Sequence, residues 1–469
     1  MIHIIDAINN LIWGNVLIYL LIGSGLFFTL RTQFVQLRRF PQAFRIMLNS
    51  RQRKSETHIS PFQAFCTSLA ARIGTGNIAG VAIAIYLGGP GAVFWMWIIA
   101  LFGMATSVAE NTLAQLYKTN NHDGTFRGGP AYYIEKAMKM RWLGIMFSIA
   151  MIIAYGFAFN SVQANSIALA FKHYGIPNYW IGTILVGVSS LIIFGGIRSI
   201  SRVAEMIVPV MAIGYMIVAL MVVALHITEL PAMLTLIVKS AFGLKTAASG
   251  GAGYMISQAM MQGVKRGLFS NEAGIGSAPN AAATAHSMHP GNQGMFGMLG
   301  VFMDTIIVCT STAVIILMSG VLVPGNGVTG VQLTQAAMTS EVGVWGEHLV
   351  ALAILLFAFT SIIANYYYGE SSLRFISDNK KLVSVFRLLV LGMIFWGAES
   401  NLTTVWAFAD LSMGMMTFIN LTAILALSKI VFIVLKDYDD QLKQGIAQPI
   451  FSRKKFPFLD QSIDKDVWK

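Results

Sequence analysis

The chain has 469 residues, 55% of them hydrophobic and 11% charged, with a formal net charge of +11. Soluble domains carry about 25% charged residues, so the about three soluble domains that length alone suggests give way to one polytopic membrane protein. Two cysteines, Cys66 and Cys309, exclude a disulfide scaffold and read as small core residues, and the positive balance points to basic cytoplasmic loops rather than to nucleic acid.

A spanning helix needs about 20 mostly apolar residues. Eleven segments qualify, near 12–30, 60–87, 91–117, 142–171, 179–197, 203–225, 254–285, 295–320, 348–373, 383–398 and 403–435. The first has no Lys or Arg before it and no small-x-small site after it, so it reads as a retained helix rather than a signal peptide. With the N-terminus outside, the cytoplasmic segments hold 25 of the 32 Lys and Arg residues. Seven lie in 31–58, five in 118–141, two at Arg198 and Arg202, four in 374–387 and seven in 436–469. The outer loops hold three, Lys172, Lys239 and Lys245. This asymmetry predicts an odd number of spans and a cytoplasmic C-terminus. The Arg-rich stretch 36–54, with interleaved apolar residues, reads either as a helix on the cytoplasmic surface or as an ordinary basic loop.

Two spans carry glycine-rich interruptions. One is Arg72-Ile73-Gly74-Thr75-Gly76-Asn77, the other Asn271-Glu272-Ala273-Gly274-Ile275-Gly276-Ser277. Each heads a block of about five spans, and an odd number per block makes the second block enter the membrane from the opposite side. The expected organisation is therefore 1–59, an N-terminal helix with a basic segment; 60–226 and 250–436, two inverted repeats; and 437–469, a cytoplasmic tail. Unwound backbone inside a bilayer is tolerated where it lines a polar site. Half-helix N–H groups suit a carboxylate, and freed carbonyls suit a cation. Matched interruptions in two repeats point to a transporter's binding site.

The run Gly88-Gly89-Pro90-Gly91-Ala92-Val93-Phe94-Trp95-Met96-Trp97 resembles the signature of the alanine/glycine:cation symporter family. So do Gly74 to Ala82, Phe126 to Ile134 and Gly267 to Ala285. The resemblance runs the length of the chain. It implies an all-α integral membrane protein with 11 transmembrane helices, a LeuT-type 5+5 inverted repeat preceded by one extra N-terminal helix. It implies sodium-coupled import of small neutral amino acids, alanine or glycine, by alternating access. It also implies no organic cofactor, with sodium as the coupling ion and the lipid bilayer of a cell (plasma or bacterial inner) membrane as surroundings.

By this resemblance Thr75, Gly76 and Asn77 surround the substrate carboxylate and ions, and Gln163 helps hold the substrate's polar groups. Gly274, Ile275 and Gly276 come from the second break, and Phe269 closes one wall. The eighth core helix adds Ser361 and Asn365. Sodium is expected among the carbonyls of Ala70, Ile73 and Phe357 and the hydroxyls of Thr360 and Ser361, hard oxygens suited to a hard cation. Many alanine-type members read Gly-Trp where this chain has Ala364-Asn365. The asparagine vacates volume and adds two donors and an acceptor, so glutamine or another polar neutral amino acid is an alternative substrate, and a proton-coupled variant a further one.

Ionisable residues inside spans are functional candidates; the carboxylates Glu110, Glu272, Asp304, Glu370 and Asp410 qualify. Glu272 is expected to pair with Arg72, Arg266 or backbone amides, Asp304 to line an ion path, and Glu370 to belong to an inner gate. Lys265-Arg266 fits a tie to the bundle or a gate. The chain has no His-Glu-x-x-His or Cys-x-x-Cys and no Gly-Lys dipeptide. This speaks against a zinc enzyme and an ATP-driven pump, and inverted broken helices fit alternating access better than a channel.

Overall fold

A computed structural model describes residues 2–50, 58–121, 124–243, 252–323 and 327–468. Of the basic residues counted above, Arg51, Arg53, Lys54, Lys245 and Lys469 lie outside the described residues, as do the end of the 36–54 stretch and the repeat boundary at 250. The protein is mostly helical; its described strands are the antiparallel pair Thr119–Asn120 and Phe126–Arg127.

Among the described residues seven helices are long and apolar enough to cross a membrane: Gly91–Leu116, Arg141–Tyr174, Gly196–Leu225, Pro290–Met318, Trp345–Ile376, Lys380–Glu399 and Leu402–Ala426. The pair Pro61–Arg72 and Gly76–Gly88, bent by 46°, makes an eighth if it is one span. The other expected spans fall on shorter or interrupted helices. Segment 12–30 is divided by a π-helical turn, Trp13–Leu17, ahead of Ile18–Arg31; 179–197 falls mainly on Asn178–Ile193; and 254–285 breaks after Asn271. The expected span 403–435 divides at Leu427, and its second part, Ser428–Lys443, carries Lys429, Lys436, Asp437, Asp439 and Asp440. That charge is costly in hydrocarbon.

Local sequence accounts for where the first broken span begins. Ser60 caps it, Pro61 takes the first helical position, and Gln63 closes a capping box with the Ser60 backbone. Gln63 Nε2 then donates to Glu205 at 2.9 Å, tying this start to Gly196–Leu225. The next span starts after Gly88-Gly89-Pro90. A Cβ at Gly91 would stand 2.5 Å from the Ala241 nitrogen, so only glycine lets the Leu230–Ala241 helix seat there.

The outside of the bundle is apolar. On Gly196–Leu225, Met206, Val210, Ile213, Ile217 and Leu220 are all exposed. Their spacing of three and four residues lines them along one helix face, as lipid contact requires. Polar residues concentrate inside instead: Asn77, Glu110, Gln163, Asp304, Ser361, Asn365 and Asn420 are buried. The protein is a multi-pass membrane protein with its polar groups turned inward.

Candidate functional site

The first break is a short unwound segment with its own internal support. Helix Pro61–Arg72 ends as Ile73 turns to φ −75°, ψ 89°, and winding resumes at Gly76. The orphaned backbone donors are taken by side chains: Gly74 N–H donates to Asn77 Oδ1 at 2.9 Å, and Thr75 N–H to Gln163 Oε1 at 2.9 Å. A Cβ at Gly74 would lie 2.3 Å from Ser361 Oγ and 2.9 Å from Gln163 Oε1, so any larger residue would have to displace both of these groups. The Thr75 hydroxyl is buried with no hydrogen-bond partner.

Asn77 also joins the break to its neighbours. Its Nδ2 donates to Asp304 Oδ1 at 2.7 Å and to the Asp304 carbonyl at 3.2 Å, and it lies 3.3 Å from Cys309 Sγ. Ser270 Oγ donates to the same carboxylate, at 2.8 Å from Oδ2, and Thr305 Oγ1 adds another bond at 2.8 Å. Asp304 is thus a fully buried carboxylate with hydroxyl and amide donors and no cation within ion-pair distance among the described residues. Cys309 is a buried free thiol at the edge of this cluster rather than in purely apolar packing.

The second break faces a different set of partners. Glu272 sits at φ 57°, Gly274 at 89° and Gly276 at 88°, left-handed backbone that costs glycine little. Gly274 N–H donates to Glu110 Oε1 at 3.1 Å, and Asn420 Nδ2 donates both to the Gly274 carbonyl and to Glu110 Oε2, each at 2.9 Å. Tyr133 OH donates to Asn420 Oδ1. Ile275 N–H goes to the Glu272 carbonyl, and a Cβ at Gly276 would meet Pro130 and Asn420. The Gly274 and Gly276 backbone is therefore held against Gly91–Leu116 and Leu402–Ala426. Phe269 and Ser270, just before this break, reach the first one: they are what a Cβ at Gly76 would touch, at 3.0 and 3.1 Å.

Oxygens converge where Trp345–Ile376 crosses the first break. Ser361 Oγ lies 2.9 Å from the Ala70 carbonyl, 3.5 Å from that of Ile73 and 3.0 Å from that of Phe357. Thr360 Oγ1 bonds the Phe357 carbonyl at 3.0 Å and approaches Met211 Sδ at 3.8 Å, so Ser361 is the hydroxyl that reaches the break. One turn on from Ser361, Asn365 is fully buried, and neither its Nδ2 nor its Oδ1 has a hydrogen-bond partner. A buried amide left this way is costly unless a ligand or water meets it.

An aromatic wall adjoins these groups. The rings of Phe159 and Phe269 are 4.4 Å apart, and those of Phe269 and Trp406 4.6 Å. Arg266 lies over Trp406 at 4.3 Å and pairs with Asp410 at 2.7 Å, while Lys265 stands 3.9 Å from the same carboxylate. No ion pair within 4 Å joins Glu272 to Arg72 or Arg266 among the described residues, contrary to two of its three expected partners. Glu272 accepts from Ser277 Oγ at 2.8 Å instead, and Arg72 donates to the Gly297 carbonyl and Ser107 Oγ. Arg266 is on the helix before the break, on the side facing Leu402–Ala426, and so reaches Asp410 first. Glu370 is engaged by Arg374 at 2.7 Å, Arg387 at 3.7 Å and Tyr366.

Sequence reasoning missed Ser270 and Asn420. Ser270 directly precedes the second glycine-rich run, so proximity was an available signal. Asn420 had none: it is uncharged, and its partner Gly274 is 146 residues away.

Comparison with known proteins covers nearly the whole chain. Residues 1–453 match the sodium:alanine symporter family. A protein of Bacillus subtilis described as a probable sodium/glutamine symporter, GlnT, is 50% identical over 96% of this chain and 93% of its own. The amino-acid carrier protein AlsT of the same organism is 47% identical over 99% and 97%. The sodium/alanine symporter AgcS of Methanococcus maripaludis is 39% identical over 94% and 97%. The crystal structure of MhsT in complex with L-phenylalanine aligns with 81% of this chain and 99% of its own, at 16% identity and a TM-score of 0.48, too distant a likeness to build on. The chain belongs to the sodium:alanine symporter family.

Proposed function

We propose that the protein is a sodium-coupled importer of a neutral amino acid working by alternating access, with its N-terminus outside and its C-terminus in the cytoplasm. The observation that carries this reading is the meeting of Ser361 Oγ with the carbonyls of Ala70, Ile73 and Phe357 at the unwound end of Pro61–Arg72. Sodium binds there through these oxygens, joined by Thr360. The substrate carboxylate is received by the start of Gly76–Gly88 and the Thr75 hydroxyl. Asn77 and Gln163 hold the break open by bonding its backbone donors. Residues 60–226 and 250–436 form two inverted repeats of the LeuT type behind one extra helix, which gives eleven spans. Coupling arises because the ion ligands and the substrate site share one unwound segment: the two occupants stabilise the same backbone arrangement.

Family membership alone points to alanine. A specific observation favours glutamine: the buried Asn365 amide offers two donors and an acceptor with no protein partner, one helical turn from Ser361. A relative 50% identical carries a sodium/glutamine description. Binding of labelled alanine and labelled glutamine to the purified protein, with sodium or with choline, tests both statements. Sodium-dependent glutamine binding that alanine displaces only weakly is the expected result. Sodium-independent binding of either would shift the coupling role to Asp304, and strict alanine selectivity would make Asn365 mere repacking.

A further inference from the structure

The basic segment before the first broken span has two unlike faces. Leu37, Phe44 and Leu48 are 67%, 43% and 61% exposed, and the last two lie one turn apart on helix Phe40–Asn49. Such a row is suited to acyl chains at a membrane interface. Gln42, Arg45 and Asn49, at helical spacing on another side, line a cavity of about 930 Å³ together with Arg38 and Arg39. The remaining walls come from His58 to Pro61, from His286 to Met288 with Asn292, and from the turn after Ser428–Lys443. The cavity therefore lies between the amphipathic helix, the start of the first broken span and the base of the tail.

Its electrostatics are one-sided. Among the described residues, no Asp or Glu lines it. Asp439 stands beside it and holds two of the guanidiniums, Arg38 at 2.7 Å and Arg39 at 2.8 Å. One carboxylate cannot neutralise three arginines. Arg45 has no carboxylate within ion-pair distance among the described residues, and Arg39 Nε is buried without a hydrogen-bond acceptor. Arginine offers forked donors that match phosphate oxygens, and basic pockets on the cytoplasmic side of membrane proteins attract anionic head groups.

We propose that this cavity is a binding site for a phosphate-bearing anion, and that the adjoining apolar row makes an anionic phospholipid its source. Asp439 presets Arg38 and Arg39, Arg45 supplies the uncompensated charge, and Phe44 and Leu48 accompany the acyl chains. The proposal does not depend on which amino acid is carried.

Native mass spectrometry of the full-length protein in detergent tests it, with phosphatidylglycerol or phosphatidylcholine added and with inorganic phosphate as competitor. The expected result is selective retention of phosphatidylglycerol. Arg45→Gln and Asn49→Asp should each weaken it roughly fivefold, the factor for one cationic contact to an anionic surface. Asn49→Asp changes charge without changing shape at an exposed residue, so it keeps the test open if Arg45→Gln fails to fold. Displacement by millimolar inorganic phosphate would retain the phosphate site but identify a free anion as the source. Equal retention of both lipids, unaffected by either variant and by phosphate, overturns the proposal.

Discussion

Asn77 and Asp304 are joined by a 2.7 Å hydrogen bond across 227 residues of chain, and the other end of the same Asn77 amide accepts the Gly74 N–H at 2.9 Å. One side chain thus keeps the first span unwound and fastens the break to the Asp304 carboxylate. Asn77→Ala removes both links and leaves the Gly74 donor without a partner, while Asp304 Oδ1 keeps only the Ser270 hydroxyl at 3.0 Å. Substrate affinity should fall at least roughly tenfold, since each buried group left unsatisfied costs about 1–3 kcal/mol. Equilibrium binding of labelled substrate checks this; unchanged affinity would move the site away from the break.

Ser361 is the hydroxyl that spans the oxygen cluster. Ser361→Ala should raise the sodium concentration for half-maximal uptake roughly tenfold, the loss of about 1.5 kcal/mol expected for one ligand to a charge. Adding Thr360→Ala should have the smaller effect, because Thr360 Oγ1 bonds the Phe357 carbonyl and turns toward Met211. A sodium titration of uptake that matches the parent would remove the ion from this place.

Asn365→Trp places an indole one turn from Ser361 and deletes the amide. Glutamine uptake should fall about tenfold relative to alanine uptake, within the range one lost pocket interaction can discriminate. Competition between the two labelled substrates reads the ratio directly. An unaltered ratio would mean that Asn365 does not face the substrate side chain.

The tail docks through a contact that titrates. His289 Nδ1 accepts the Gly291 N–H at 3.0 Å, so its proton sits on Nε2, 3.2 Å from Asp437. Burial pulls the imidazole below its ordinary 6.5 despite the raising influence of Asp437. Burial would raise Asp437, but hydrogen bonds from His289, Lys455 and Gln441 bring it down to about 2. Both groups are depressed in the docked state, so docking is fully stabilised above about pH 6.5 and weakens as pH falls through the depressed histidine value; the Asp437 contribution is lost later, between its ordinary 3.8 and about pH 2. Exchange protection of the Phe451 amide, which donates to the Met288 carbonyl at 2.9 Å, should drop between about pH 7.5 and about pH 5.5 after correction for intrinsic rates. Constant protection would contradict this coupling.

Arg266 and Asp410 form a buried pair at 2.7 Å. Asp410→Asn leaves the Arg266 charge without its carboxylate, a change that costs about 3–5 kcal/mol when a pair is buried. Thermal unfolding in detergent should show a marked loss for Asp410→Asn and partial recovery in the double variant with Arg266→Gln. A double variant no more stable than the single would mean that the pair is not coupled.

How far these features were legible depended on whether the signal was local. The bend of 46° at the first break falls where Gly74-Thr75-Gly76 interrupts an apolar run, and the capping box that starts this span is four consecutive residues, Ser60 to Gln63. The Arg266–Asp410 pair and the Asn420–Gly274 bond join residues 144 and 146 positions apart. No pattern of spacing or hydropathy carries such a contact; it is created by packing. The same holds for the Gly274 and Gly276 backbone. Its composition matches the first break, but its polar groups are taken by Glu110 and Asn420. Segments such as Asn178–Ile193 were legible by apolarity, although the helix there is shorter than a full span by length alone.

The most direct measurement is uptake of labelled glutamine into proteoliposomes holding the purified protein, driven by an inward sodium gradient, with a sodium ionophore or a protonophore added in parallel. Accumulation above the outside concentration that the sodium ionophore abolishes and the protonophore spares is the predicted result. Accumulation that survives loss of the sodium gradient but collapses with the proton gradient would contradict an ion site at Ala70, Ile73 and Ser361 and transfer the coupling to Asp304.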